Sequence, residues 1–171
     1  MSRFPSLLHD RLWHTTSLDR YNMIVKSGCI LPNPPIPNQE RFKTSRGPDF
    51  YPYVRSIDGV SLFDFTGFDP ESYGEEFPIS TWQEFVPYRS IWKLSVWIEI
   101  DEQVIEKGFI NGEKLLVNWK KDRAHRHTIM PKIEAAHIGP IPHEAFIRIF
   151  KCGKETNGFE EITKLARRYY G

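Results

Sequence analysis

Two residues have the types and settings that suit chemistry, a histidine near the N-terminus and a glutamate far along the chain. His14 ends an apolar stretch, precedes three hydroxyl residues and stands at the start of a predicted helix. Ligands are commonly held where strands run into loops. Glu134 is a lone carboxylate between Ile133 and Ala135, and such a carboxylate can be held in place for chemistry. A structural, hydrogen-bonded histidine and a solvent-facing glutamate remain the alternatives.

A strand followed by a helix must position His14. Residues 11–15 favour a short strand, and Thr16 or Ser17 is well placed to cap the helix that follows. The apolar spacing predicts that helix over 18–27, because the apolar side chains share one face. Gly28 then supplies the residue that commonly ends a helix in the left-handed conformation.

Further strands are expected to form a sheet that brings distant residues together. β-branched and aromatic residues predict strands at 59–65, 91–100, 132–138 and 145–150. Asn111-Gly112 indicates a hairpin turn between 108–110 and 115–117, and 159–170 is expected to close the chain as a short helix. Helices do not alternate regularly with strands, so we expect an α+β protein. The 171 residues fit one domain, 1–171.

Three loops differ in character. Residues 31–52 hold six of the 13 prolines among polar and basic residues, which favours a long ordered loop or lid. Residues 58–76 carry six acidic residues and no Lys or Arg, as a solvated surface loop does. Residues 119–132 carry five basic residues against one aspartate.

Composition narrows the function classes. The 23 Lys and Arg nearly balance 22 Asp and Glu, which argues against a dominant electrostatic attraction to nucleic acid or membranes. Dinucleotide, Walker and serine-hydrolase motifs are missing, and no apolar stretch is long enough for a membrane span. With two cysteines and no visible export signal, we expect a cytoplasmic protein without a metal. His125 and His127 could chelate one, but a basic surface loop explains them as well.

Three segments together resemble a known family. Trp13-His14-Thr15-Thr16-Ser17-Leu18 followed by Ser27-Gly28-Cys29-Ile30-Leu31 is similar to the opening of ADP-ribosyltransferase-fold proteins of the diphtheria-toxin and poly(ADP-ribose)-polymerase branch. Residues 60–65 resemble their second motif strand, and 132–134 with 139–149 resemble the third, which bears the catalytic Glu. The resemblance implies an α+β fold with a split, mainly antiparallel sheet and few short helices.

The resemblance also implies roles for residues. His14 would bind a ribose hydroxyl of NAD, Thr15 and Thr16 would line the NAD site, and Glu134 would hold the 2′-hydroxyl of the nicotinamide ribose. The middle motif, where the family often has a Tyr, offers Ser61, Phe63 or Asp64, so that Ser61 would assist catalysis and Phe63 would stack on nicotinamide. Basic residues of the proline-rich loop, among them Arg46, could neutralise the pyrophosphate.

The function implied is an NAD-dependent ADP-ribosyltransferase acting on an unknown protein or nucleic-acid acceptor, or an NAD glycohydrolase if water is the acceptor. NAD would be a substrate. An alternative is an RNA 2′-phosphotransferase-like enzyme, which shares the fold and uses additional His and Arg residues around bound phosphates. Candidates for these residues are Arg123, His125, Arg126 and His127. A third reading is a non-catalytic nucleic-acid or protein-binding module that uses the basic stretch 119–132, with Trp119 for stacking.

Overall fold

The computed structural model describes residues 3–164 and consists mainly of antiparallel β-strands with a few short helices. The strands in chain order are β1 Leu12–Ser17, β2 Cys29–Ile30, β3 Gly59–Asp64, β4 Ser95–Ile100, β5 Phe109–Ile110, β6 Glu134–Ile138, β7 Ile141–Pro142, β8 Phe146–Cys152 and β9 Glu160–Glu161. Seven of them form one sheet in the order β5-β6-β3-β1-β4-β8-β9, and β2 pairs with β7. The α-helices are α1 Leu18–Ser27, α2 Tyr53–Ser56, α3 Pro70–Glu76 and α4 Gly112–Lys121. The predicted α+β class with a mainly antiparallel sheet is confirmed.

The large sheet opens between β1 and β3. These strands pair only at Leu12 with Asp64 and at Trp13 with Phe63. Beyond that point β1 continues along β4 as far as Ser17, whereas β3 continues along β6. The two strands therefore diverge, and a gap opens in the sheet next to His14.

An aromatic cluster packs around the point where the strands diverge. Trp13 and Trp97 are fully buried and meet edge to face with ring centroids 6.2 Å apart. Phe63 stacks on Phe65 at 5.1 Å. Burying each such side chain contributes about 1.5–3 kcal/mol, and offset or edge-to-face contacts between rings add to this. The cluster makes this part of the sheet a firm base for the strands that leave it.

The helix after β1 has the boundaries that the sequence predicts. Ser17 Oγ accepts a hydrogen bond from the Arg20 N–H at 3.3 Å and caps the N-terminus of α1. Gly28 ends the helix with φ +74°, and its N–H donates to the Ile24 carbonyl at 2.8 Å. The predicted cap and left-handed terminator are thus confirmed.

The predicted hairpin at Asn111-Gly112 is wrong, because these residues begin α4. Asn111 is in an extended conformation, with φ −68°, and its side chain accepts from the Lys114 N–H at 2.9 Å. A Cβ at residue 112 would lie 1.8 Å from the Lys132 carbonyl oxygen, so the close approach of the chain requires glycine there. Leu115 is fully buried on the inner face of α4.

Other boundaries differ by a few residues. Strands β4 and β6 begin at Ser95 and Glu134, later than predicted, and α3 occupies part of the expected acidic loop. The proline-rich loop, residues 31–52, contains two short 3₁₀ turns but neither a strand nor an α-helix. Of the helix predicted at 159–170, residues 165–170 lie outside the described residues, and Glu160–Glu161 form a strand instead. Among residues 3–164, no helix is long and apolar enough to span a membrane.

Candidate active site

A cavity of about 310 Å³ lies where the sheet opens between β1 and β3. Both residues singled out at the start, His14 and Glu134, line it. So do four further residues implied by the family resemblance, namely Thr15, Thr16, Ser61 and Phe63. Residues from three separate strands thus share one cavity, as a site assembled from distant segments requires.

Glu134 is a buried carboxylate held by two hydrogen bonds. It is 4% exposed and begins β6 directly opposite Phe63 of β3. Its Oε2 accepts from the Met130 N–H at 2.9 Å, and its Oε1 accepts from the Ser61 hydroxyl at 3.4 Å. Burial raises the pKa of Glu134 to about 7, although both hydrogen bonds favour the charged form. The carboxylate therefore changes charge near neutral pH.

The backbone around Glu134 fixes its position from both sides. The Glu134 N–H donates to the Met130 carbonyl at 2.9 Å, while the Met130 N–H donates back to the Glu134 side chain. The turn between them includes Lys132 with φ +67°. A reciprocal pair of bonds across such a turn leaves the carboxylate little freedom to rotate away from the cavity.

His14 is half-buried beside the gap. Its Nδ1 lies 3.0 Å from the carbonyl oxygen of Ser61, so Nδ1 carries the proton when the ring is neutral and Nε2 remains an acceptor. Desolvation lowers the pKa of His14 to about 4, against the raising effect of the Ser61 hydrogen bond, and the Arg20 charge lowers it further. The ring is therefore neutral at physiological pH.

Ser61 connects the two halves of the site. Its carbonyl binds His14, and its exposed hydroxyl reaches Glu134. Thr15 donates from Oγ1 to the Val96 carbonyl at 3.2 Å, and Thr16 is 3% exposed. The threonines therefore belong mainly to the wall of the cavity, whereas the Ser61 hydroxyl is open to a ligand.

Phe63 contributes an apolar wall. Its side chain is 5% exposed, because its ring packs against Phe65 and near Phe85 and Trp97. It lines the cavity from within the aromatic cluster. Phe63 therefore forms part of a packed cavity wall and is not a free side chain that could stack face to face on a flat ligand ring.

The structure does not bring Arg46 to the cavity. Its guanidinium lies over the Phe50 ring, 4.1 Å from the centroid, and Arg46 is not among the lining residues. Arg41 and Arg55, from the same stretch of the chain, do line the cavity. They are joined there by two arginines that the sequence reasoning missed, Arg20 and Arg89.

Charge repulsion connects the four arginines, because Arg55 and Arg20 act on Arg41 and Arg20 acts on Arg89. The pKa of Arg41 is lowered, chiefly by burial and then by the charges of Arg55 and Arg20. The pKa of Arg89 is also lowered, chiefly by burial. The charge of Glu84 opposes this shift, and the charge of Arg20 adds to it. Within residues 3–164 none of the four has a carboxylate within ion-pair distance. Such a group of cations can bind an anion with several charges.

The basic stretch 119–132 lies partly within α4 and partly in the loop that leads to Glu134. His127 Nδ1 lies 2.7 Å from the Tyr51 carbonyl, and the Trp119 indole donates to the His127 carbonyl at 2.9 Å. Both side chains thus support the loop. In the described part of the chain, no group of three or more His, Cys, Asp or Glu is placed to hold a metal ion.

Comparison with known proteins finds a structural likeness but no match to a family. No family model matches the chain, and no curated protein matches it. Among solved structures it is similar to DarT from Thermus sp. 2.9 in complex with NAD+, with 14% identity and a TM-score of 0.42. The match covers 86% of this chain and 83% of that one.

Proposed function

We propose that this chain cleaves the bond between nicotinamide and ribose in NAD and transfers ADP-ribose to an acceptor. One observation carries the proposal. The buried Glu134 carboxylate and the neutral His14 ring, far apart in the sequence, line the same cavity and both contact Ser61. A fixed carboxylate can stabilise the positive charge that develops on a sugar as its glycosidic bond breaks.

Glu134 has the role of stabilising the charge that develops on the sugar. As the bond from ribose C1′ to the nicotinamide nitrogen breaks, its electron pair moves to that nitrogen, and positive charge spreads over the ribose. The leaving group is neutral nicotinamide and requires no proton. A carboxylate held in a partly dehydrated cavity stabilises the developing cation more strongly than it stabilises the ground state.

His14 and Ser61 have the role of orienting the ribose. With Nδ1–H donating to Ser61, the His14 Nε2 can accept a hydrogen bond from a ribose hydroxyl. The Ser61 hydroxyl can hold the Glu134 oxygen in place and contact the substrate at the same time. Correct orientation contributes to the rate because the reacting atoms must be aligned before the bond breaks.

The arginine group has the role of binding the pyrophosphate. Arg20, Arg41, Arg55 and Arg89 line the same cavity as Glu134 and lack carboxylate partners within the described residues. Guanidinium groups match phosphate oxygens in geometry and charge. Phe63 forms the apolar wall on the β3 side of the cavity.

An acceptor completes the reaction. A nucleophile on a protein, a nucleic acid or a water molecule attacks ribose C1′ and loses its proton. Water as acceptor makes the chain an NAD glycohydrolase.

The test is release of nicotinamide from NAD. The wild-type protein is incubated with NAD, and free nicotinamide is measured by chromatography. Glu134→Gln should reduce the release by about 10²–10³-fold, because one fixed charge-stabilising group is typically worth about 3–4 kcal/mol of barrier. Glu102→Gln, at an exposed glutamate that does not line the cavity, is the matched control and should retain the wild-type rate. Full activity of Glu134→Gln would contradict the proposal.

The arginine group also favours a second candidate, an RNA 2′-phosphotransferase-like activity. Four cations at one cavity can bind the internal 2′-phosphate of an RNA as well as a pyrophosphate. An oligoribonucleotide that carries one 2′-phosphate separates the two. Loss of that phosphate in the presence of NAD supports the second candidate, and release of nicotinamide without RNA supports the first.

A further inference from the structure

The four arginines of the cavity share a second property, which is contact with the proline-rich loop. Arg20 donates from Nη2 to the Glu40 carbonyl. Arg55 donates from Nη2 to Asn38 Oδ1 at 2.7 Å. In both cases a charged donor from outside the loop is occupied by a neutral acceptor of the loop.

The remaining two arginines contact the loop differently. Arg41 belongs to the loop and donates to the Pro32 carbonyl at 3.1 Å and to Asn33 Oδ1 at 3.3 Å. The Arg89 guanidinium lies 5.0 Å from the centroid of the Phe42 ring, which also belongs to the loop. Residues 31–52 are thus held against the cavity by the same cations that line it.

These contacts are weaker than the ones that an anion would make. A phosphate group accepts shorter, charge-assisted hydrogen bonds from guanidinium groups and relieves their mutual repulsion, which neutral carbonyl and amide oxygens do not. The only carboxylates that act on Arg20 and Arg89 in the described structure are Glu40 and Glu84, and neither lies within ion-pair distance. A bidentate phosphate contact needs N–H groups on two nitrogens of a guanidinium, and on Arg55 these are Nη1, which is buried and has no partner in the described structure, and Nη2, which Asn38 occupies. A phosphate bound in this way and the loop therefore compete for Nη2.

We infer that the arginine group is a gated site for a diphosphate ligand, in which the ligand displaces the hydrogen bonds that Arg20 and Arg55 make to the proline-rich loop and so releases residues 38–44. The identity of the whole ligand rests on the proposed function. The displacement of the loop by a diphosphate group does not depend on it. Inorganic pyrophosphate carries the charges and has no glycosidic bond. Inorganic pyrophosphate therefore tests the displacement of the loop separately from catalysis.

The first measurement is hydrogen exchange of the backbone amides in residues 38–44 of the intact protein. Saturating inorganic pyrophosphate should increase exchange in this segment, whereas sodium chloride at matched ionic strength should not. Arg46→Gln changes a loop cation that lies outside the cavity, and it should keep the response. Exchange that is unchanged or slowed by pyrophosphate would overturn the inference.

The second measurement is the affinity for inorganic pyrophosphate by calorimetry. Asn38→Ala removes the acceptor of Arg55 from the loop but leaves every arginine in place, so it should bind pyrophosphate several-fold more tightly. Arg55→Gln should bind it several-fold more weakly. Gln39→Ala, at a neighbouring exposed residue of the same 3₁₀ turn that does not line the cavity, should bind it like the wild type. If Asn38→Ala binds no more tightly than wild type, loop and ligand do not compete.

The outcomes separate the two proposals. Nicotinamide release without any loop response to pyrophosphate supports the proposed function and overturns the gating. A loop response in a protein that never releases nicotinamide supports the gating and contradicts the proposed function.

Discussion

The Nδ1 atom of His14 lies 3.0 Å from the carbonyl oxygen of Ser61, beside the point where β1 and β3 separate. A side chain of β1 thus reaches a backbone group of β3 that no longer has a strand partner on that side. The contact satisfies a carbonyl that the opening of the sheet would leave unpaired. It also fixes the ring with Nε2 available to a ligand, so one hydrogen bond serves both the fold and the site.

His14→Ala should weaken NAD binding as well as turnover. The variant loses the proposed contact to a ribose hydroxyl, which does not change charge during the reaction, and such a hydrogen bond is worth about 0.5–1.5 kcal/mol. We expect the dissociation constant to rise about threefold to tenfold by calorimetry, with a further loss in the rate of nicotinamide release. His125→Ala, at an exposed histidine outside the cavity, should match the wild type. Unchanged NAD affinity of His14→Ala would contradict the assignment.

Turnover should rise with pH through neutrality. Burial raises the pKa of Glu134 to about 7, and only its charged form stabilises a cation on the ribose. The rate of nicotinamide release should therefore be low at pH 5.5, reach half its maximum near pH 7 and level off above pH 8. His14 adds no second step in this range, because its pKa is lowered to about 4. A half-maximal rate near pH 4.5 would show that burial does not raise the pKa of Glu134 above its ordinary value.

Ser61→Ala should move that half-maximal point to higher pH. The Ser61 hydroxyl favours the charged form of Glu134, so removing it raises the pKa of the carboxyl further. A hydrogen bond to a charged group is typically worth at least about 1.5 kcal/mol, which is close to one pKa unit. The bond from Ser61 is long, at 3.4 Å, so we expect the shift to be at most about one pKa unit. The variant should lose more activity at pH 6.5 than at pH 8.5. Ser56→Ala, in α2 and outside the cavity, should leave the pH profile in place.

The two central residues of the candidate site could be singled out from the sequence because they have local signatures. His14 stands between an apolar strand and capping hydroxyls, and Glu134 is a carboxylate in an apolar strand. These settings are visible in a window of a few residues. The fold class followed in the same way, from the order and composition of the strands.

The parts that were missed depend on contacts between distant segments. Arg89 has no local signature, and it reaches the cavity only because residues 85–92 pack against the proline-rich loop. Asn111-Gly112 suits a hairpin turn and a helix start equally well by residue type. The choice was decided by burial of Leu115 and by the contact of Gly112 with the Lys132 carbonyl. Neither contact is visible in the local sequence.

Glu134→Gln should be stabilised relative to the wild type, and the difference in the free energy of unfolding should be larger at alkaline pH than at acidic pH. The pKa of Glu134 is raised to about 7 in the folded chain from an ordinary value of 4.5, so the folded state binds the proton more tightly. The wild type therefore loses stability as the pH rises from about 4.5 to about 7, by about 2–3 kcal/mol between pH 5 and pH 8. Gln cannot ionise and does not share this loss, while its amide oxygen can still accept from the Met130 N–H.

The measurement is urea denaturation of both proteins at pH 5 and pH 8. The lowered pKa of His14 makes both proteins less stable as the pH falls below about 6.5. This effect cancels when the free energy of unfolding of the wild type is subtracted from that of the variant. The free energy of unfolding of Glu134→Gln minus that of the wild type should be larger at pH 8 by about 2–3 kcal/mol. An equal difference at the two pH values would mean that the carboxylate is not destabilised by burial. A more stable but inactive variant would show that the fold tolerates a buried charge at this position for the sake of the reaction.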